Sequence, residues 1–291
     1  ILYNCVLALM DTPGQTLLGV YRMLVDDKFR KLIVANIKDP VVKMFWVEDY
    51  ENYDPRFRKE IIAPVQNKVG QLLTSAPLRN IVGQTKSSVD FGFVMDQKRI
   101  LLANLSKGKI GEDKSNLLGS AIVTKLYLAA LERQNIPEEH RRDFYLYIDE
   151  FQNFSTDIFP SILSEARKYR LNLNIAHQYL YQLPEAIKHA VFGNVGTVIS
   201  FRVGSYDAKE LAEELKPVFT SEDLEHLENH QISLRLMVDG KMSRAFSAIT
   251  LPPIPKDGNE ADRETILRVS RERYTVPRDI IEEKIKNWFE K

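Results

Sequence analysis

The chain has 291 residues, enough for one large domain or two modest ones around a substantial core. Hydrophobic residues make up 44% and charged residues 27%, ordinary globular usage that excludes a disordered chain, while 40 basic and 40 acidic residues leave bulk charge silent about a nucleic-acid partner. Cys5 is the only cysteine, so a disulfide scaffold and a cysteine-built zinc site are excluded, a pattern that fits a reducing cytoplasm.

No uninterrupted apolar run approaches the roughly 18–20 residues that a membrane span requires, and no signal peptide is visible. The chain opens at Ile1 inside an apolar segment, which gives the expectation of a fragment whose N-terminal part is missing. Residues 1–85 read as helices only, an all-α domain. Asp39-Pro40 and Asp54-Pro55 each set a capping carboxylate before a proline, a common entry to a first helical turn. Thr16–Met23, Asp26–Ile37 and Arg56–Leu73 space their apolar residues at three and four. Ser75-Ala76-Pro77 separates the last of these from a further helix over Leu78–Val82.

Beyond Ser88 short apolar runs alternate with helical stretches, and residues 86–255 read as a second domain. The runs are Phe91–Met95, Ile100–Leu105, Phe144–Ile148, Leu171–Ala176 and Thr197–Phe201; the helical stretches are Asn116–Arg133, Ile158–Arg170 and Asp207–Leu215. Such alternation predicts an α/β fold, a mostly parallel sheet with helices on both faces. Two more strands, Ile232–Val238 and Arg244–Thr250, flank Asp239-Gly240, a favourable hairpin pair. Residues 256–291 read as a charged tail of one or two exposed helices parted by Pro277.

The stretch with most chemistry is Phe144-Tyr145-Leu146-Tyr147-Ile148-Asp149-Glu150. Five apolar residues suit a central parallel strand, and two acids follow at its C-terminal end, the edge where ligands gather in open α/β sheets. This is a Walker B arrangement: the first carboxylate positions the water shell of Mg²⁺, and the second orients and deprotonates an attacking water. The same pattern also arises when a loop merely begins after a buried strand. The next strand ends at His177-Gln178, where an amide can sense a γ-phosphate or can simply be solvated in a turn; His177 reads as structural. Between them, Ile162, Leu163, Ala166 and Tyr169 form one helix stripe. Arg167 lies at its rim, either a solvated residue or an arginine finger for a neighbouring subunit's nucleotide.

A motor of this kind needs G-x-x-x-x-G-K-[ST], whose amides cradle phosphates. Gly108-Lys109-Ile110-Gly111-Glu112-Asp113-Lys114-Ser115 imitates it, but Asp113 stands where the second glycine belongs and would repel phosphate. The phosphate loop is therefore expected upstream of Ile1. His226 and His230 stand four apart, yet Leu227 occupies the place a zinc protease gives to glutamate, and a plain helix face is expected.

Taken together, Leu101 to Gly108, the helix start Leu117-Leu118-Gly119-Ser120, Tyr147 to Phe151, Ser164 to Tyr169, Ala176-His177-Gln178, and Gly193 to Thr197 with Phe201-Arg202 resemble the TraG/TraD-type conjugative coupling ATPases of type IV secretion. These belong to the HerA–FtsK group of RecA-like DNA pumps. The resemblance covers residues 90–250, and it implies that residues 1–85 are the all-α domain inserted after Walker A. It implies Asp149 as the Mg²⁺ carboxylate, Glu150 as the base, Gln178 as the γ-phosphate sensor and Arg167 as the trans-acting arginine; Asn194 and Thr197 lie near the ring interior without an assigned role.

The implied cofactors are ATP and Mg²⁺. The implied partners are DNA or a nucleoprotein, relaxosome or secretion-channel proteins, and further copies in a homo-hexamer. The implied place is the cytoplasmic face of the bacterial inner membrane, with anchoring through a missing N-terminal segment. A soluble HerA- or FtsK-like pump and a catalytically inert partner-binding relative stand as alternatives.

Overall fold

The computed structural model describes residues 1–255 and 260–290, in two units. One comprises Ile1–Val89 with the C-terminal helices; the other runs from Asp90 through the last strands.

Helices are the only regular secondary structure among the first unit's described residues. Its N-terminal part carries α1 (Leu2–Met10), α2 (Leu18–Val25), α3 (Asp27–Ala35), α4 (Pro40–Met44), α5 (Pro55–Thr74) and α6 (Ala76–Val82), with a π-helical turn over Phe45–Tyr50. Local chemistry sets the starts. Asp26 accepts from the amides of Lys28 and Phe29, Asp39 from Val41 and Val42, and Asp54 from Arg56 and Phe57, each cap contributing about 1 kcal/mol. The core closes around Met23, Ile33, Trp46 and Tyr50, and the Trp46 indole donates to the Asn4 carbonyl at 3.3 Å.

The two C-terminal helices span Glu260–Tyr274 and Arg278–Glu290, with Pro277 between them. The second is not an exposed tail. Ile281 and Ile285 pack with Leu18, and the Arg22 guanidinium lies 4.5 Å from the Phe29 ring and 5.2 Å from that of Trp288 while donating to the Trp288 carbonyl. Apolar residues four apart bury one stripe of an otherwise charged helix, and a charge count conceals that stripe.

The second unit mixes helices and strands. It begins with α7 (Phe91–Asp96), α8 (Lys107–Ile110) and α9 (Glu112–Glu132), then β1 (Phe144–Ile148), α10 (Phe159–Glu165) continued by a 3-10 turn over Ala166–Tyr169, and β2 (Leu171–Ile175). There follow α11 (Glu185–Asn194), β3 (Val198–Ser200), α12 (Ser205–Glu214), α13 (Ser221–Glu225), β4 (Gln231–Arg235), β5 (Met237–Val238), β6 (Lys241–Met242) and β7 (Phe246–Ile249).

The expected mostly parallel sheet is not what forms. Among the described residues β1 and β2 make a two-stranded parallel pair, from Phe144 opposite Leu171 to Ile148 opposite Ile175. A separate antiparallel sheet has the order β3-β4-β7, and β5-β6 is a hairpin. Four sequence readings differ from what forms. Phe91–Met95 is helical because Asp90 caps it, accepting from the Phe93 amide at 2.9 Å, and because Val94 and Met95 turn to the core together. A short apolar run fits either period, and the cap decides.

Ile100–Leu105 takes no regular secondary structure and joins no ladder, leaving Ile100 and Leu102 exposed by 88% and 83%. The strand within Thr197–Phe201 pairs antiparallel with β4, so it belongs to the second sheet. The long hairpin is likewise split. The Leu236 amide donates to Ser243 Oγ instead of to a partner strand, separating β4 and β7 from the tip, where Asp239 and Gly240 both take the positive φ of a tight turn.

The core of this unit runs between α9, the β1–β2 pair and α10 to α12. Arg133 is buried within it, held by Asp96 and by the carbonyls of Arg142 and Tyr169. Among the described residues no helix is long and apolar enough to cross a membrane.

Candidate functional site

The parallel register of β1 and β2 dictates the site. The ladder runs past both strand ends: the Ala176 amide donates to the Ile148 carbonyl at 2.9 Å, and the Phe151 amide donates to the Ala176 carbonyl at 2.8 Å. Asp149 and Glu150 on one chain segment and Gln178 on the other therefore leave the sheet side by side. Among the described residues β1 has one strand neighbour and ends at Ile148, so there the acids occupy the turn after an edge strand, not a central one.

Glu150 takes left-handed backbone at φ 51°, unusual for a side chain of its size, and this turns its carboxylate back toward β2. Both of its oxygens are engaged. Gln178 Nε2 donates to Oε1 at 2.6 Å, and Gln152 Nε2 donates to Oε2 at 2.7 Å. Asp149 is exposed, with Oδ1 accepting the Glu150 amide at 3.0 Å. Phe151 anchors the turn from below, fully buried and edge-on to Phe159 at 4.6 Å between centroids. Gly119 of α9 lets Phe154 approach; a Cβ there would meet its ring at 2.2 Å.

Asp149, Glu150 and Gln178 border a cleft of about 1070 Å³, whose walls include Leu102, Tyr145, Leu146 and α9. Lys107 and Asn153 stand on its rim, and Lys107 Nζ donates to Asn153 Oδ1 at 2.8 Å and to Glu112 at 2.6 Å. Arg167 is not brought here. It sits exposed on the 3-10 turn before β2, outside the cleft lining, and makes no side-chain hydrogen bond or ion pair among the described residues.

Gln152, Lys107 and Asn153 are the site residues that sequence reasoning passed over. Gln152 carried a readable signal, an amide two positions after a turn carboxylate; Lys107 and Asn153 meet only through tertiary folding.

The glycine-containing stretch at 108–115 puts the carboxylates of Glu112 and Asp113 in the first turn of α9, where they would repel phosphate. The amides of Lys109, Ile110, Gly111 and Ser115 all donate to main-chain carbonyls. Asn194 bonds the Ala190 carbonyl and Thr197 accepts the Met237 amide, so both side chains have structural partners. His226 and His230 do not share a helix face, because α13 ends at Glu225 and His230 lies in a turn at φ 68°. The described residues hold no group of three or more His, Cys, Asp or Glu that could cage a metal ion. An exposed Asp149 with one free oxygen suits instead a Mg²⁺ held by a single carboxylate, water and phosphate, the manner in which this ion is commonly bound beside nucleotides.

The chain shares its fold with solved structures of a conjugative coupling protein. The particular structures it resembles are those of the bacterial conjugative coupling protein TrwB. The unbound form aligns with a TM-score of 0.55 and 10% identity over 82% of this chain and 61% of that one. The complex with the ATP analogue ADPNP gives 0.58 and 10% over 88% and 65%, and the complex with the GTP analogue GDPNP gives 0.56 and 11% over 89% and 63%. The chain thus spans less than two thirds of the TrwB chains it matches. No family model matches it, and no curated protein matches it significantly in sequence.

Proposed function

We propose that this chain supplies the Walker B half of a RecA-like, ATP-driven motor that moves DNA or nucleoprotein toward a type IV secretion or conjugation channel. The observation that carries this reading is the bond from Gln178 to Glu150 at the shared C-terminal edge of a parallel strand pair. A strand-end amide and a strand-end carboxylate within 2.6 Å of each other can address one phosphate and one water.

In this reading ATP occupies the cleft with Mg²⁺ beside Asp149, and the bound ion supplies charge neutralisation on the phosphates. The chain's own residues do the rest. Gln178 releases Glu150 Oε1 and turns its amide to the γ-phosphate. The freed oxygen takes the proton of the attacking water, while Gln152 keeps the other oxygen in place. Arg167, exposed and unpaired among the described residues, reaches the nucleotide of an adjacent subunit in a homo-hexamer. The phosphate cradle comes from a segment outside this sequence, where no G-x-x-x-x-G-K-[ST] stretch occurs. Relaxosome or channel proteins are the partners of such a motor, at the cytoplasmic face of the inner membrane.

Two measurements test the reading. The 291-residue chain alone should show negligible ATP turnover. In a protein that carries the phosphate loop, Glu150→Gln should keep nucleotide affinity and lower turnover by about 10²–10⁴-fold. Parent-level turnover in that variant removes Glu150 as the base.

A further inference from the structure

Gln178 is exposed and lies beyond the end of β2, in a segment without regular structure, yet its amide is aimed at Glu150. Something must hold the segment from Ala176 to Leu180. Its first residue is tied into the strand ladder. Its last residue is tied by Asp207, in the first turn of α12, whose Oδ2 accepts the Leu180 amide at 3.0 Å. Asp207 is 4% exposed, and its other oxygen, Oδ1, is buried without a hydrogen-bond partner among the described residues. One further atom of this segment is in the same condition: His177 Nδ1, also buried and also without a partner.

These two orphans are complementary. A neutral imidazole can place its single proton on either nitrogen, and the nitrogen that carries it is a donor. A buried carboxylate oxygen needs a donor. The Asp207 and Glu150 charges both act on the imidazole, which burial nonetheless holds below its ordinary pKa and therefore neutral at pH 7. Asp207 is favoured at its position for a separate reason, since a carboxylate in the first turn of a helix meets the positive end of the dipole.

We infer that Asp207 and His177 form a buried brace, with Nδ1–H of His177 linked to Asp207 Oδ1 through one bridging water, and that this brace positions Gln178 against Glu150. One carboxylate then grips the segment on both sides of Gln178, at His177 and at the Leu180 amide. His177 and Asp207 are positioning residues: neither touches the cleft, and they act through the Gln178 backbone. The purpose of the brace rests on the proposed role of Gln178, but its existence does not, and the test needs no nucleotide.

The test is ¹⁵N and ¹H NMR of the 291-residue chain with labelled histidine and glutamine side chains. The expected result is an Nδ1–H tautomer for His177, reverting to Nε2–H in Asp207→Ala, with the Gln178 side-chain amide resonance shifting in the same variant. Because Asp207→Ala also strips the Leu180 amide of its acceptor and can unfold the segment, a second pair is decisive. His177→Asn keeps a donor close to the Nδ1 position and should retain the Gln178 amide shift, whereas His177→Leu should lose it. An Nε2–H tautomer in the parent, or an unmoved Gln178 resonance in His177→Leu, overturns the brace. Inactivity of a loop-bearing protein with the brace intact would instead count against the proposed function alone.

Discussion

The helical unit and the α/β unit use their aromatic residues to opposite ends. In the first, Trp46 and Tyr50 are almost fully buried and lead a chain of rings, tilted between these two and edge-on through Tyr53 to Phe57, with spacings of 4.8 to 6.0 Å. In the second, Tyr145 and Tyr147 stand 58% and 74% exposed on β1, facing the same cleft as Leu102. One set of rings completes a core. The other lines an opening beside a pair of carboxylates, and exposed apolar surface next to convergent polar groups is where binding is expected.

The contrast can be broken by substitutions that alter function without altering stability. The largest expected effect is on Arg167. In assembled rings that carry the phosphate loop, Arg167→Ala should lower ATP turnover by about 10³–10⁵-fold while nucleotide affinity holds, and Lys should not restore it, lacking the planar fork. Turnover at the parent rate would return Arg167 to the status of a solvated turn residue. Urea denaturation of the same variant should superimpose on that of the parent, because the exposed side chain makes no hydrogen bond or ion pair among the described residues.

Core truncations should do the reverse. Trp46→Ala in the helical unit and Phe151→Ala in the α/β unit each remove a large, fully buried ring and should cost about 3–5 kcal/mol. The two should be separable by hydrogen exchange. Trp46→Ala deprotects amides of α1 and α4, Phe151→Ala those of β1 and β2. Loss of protection across both units from either substitution would mean that they unfold as one.

A smaller effect belongs to the helix starts. Asp54→Ala deprives the Arg56 and Phe57 amides of their acceptor and should cost about 1 kcal/mol, visible as a shift in the urea midpoint at unchanged slope. The smallest is a pH effect. Burial lowers the His177 pKa, so the unfolded chain takes up the proton first as pH falls. Stability should therefore be complete above the ordinary imidazole value of about 6.5, decline as pH falls through it, and level off below the folded value. His177→Asn should flatten that decline; an unchanged profile assigns the pH dependence to other groups.

The sequence by itself determined much of the helical unit. Caps act within three residues and helix stripes within four, so Asp39, Asp54 and the apolar spacing of Pro55–Thr74 carried their own answer. It also determined which residues meet at the site, because a strand ending in Asp149-Glu150 and a strand ending in His177-Gln178 have only to pair in parallel. Tertiary structure alone decided that these strands form an isolated pair, that Ile100–Leu105 stays outside it, and that β3 turns to the antiparallel sheet. Apolar runs of five or six residues carry no record of their partners, since strand pairing is made by hydrogen bonds between residues far apart in the chain. The same distance hid Lys107 beside Asn153 and Asp207 around Gln178. Each is an ordinary surface residue type until the fold closes over it.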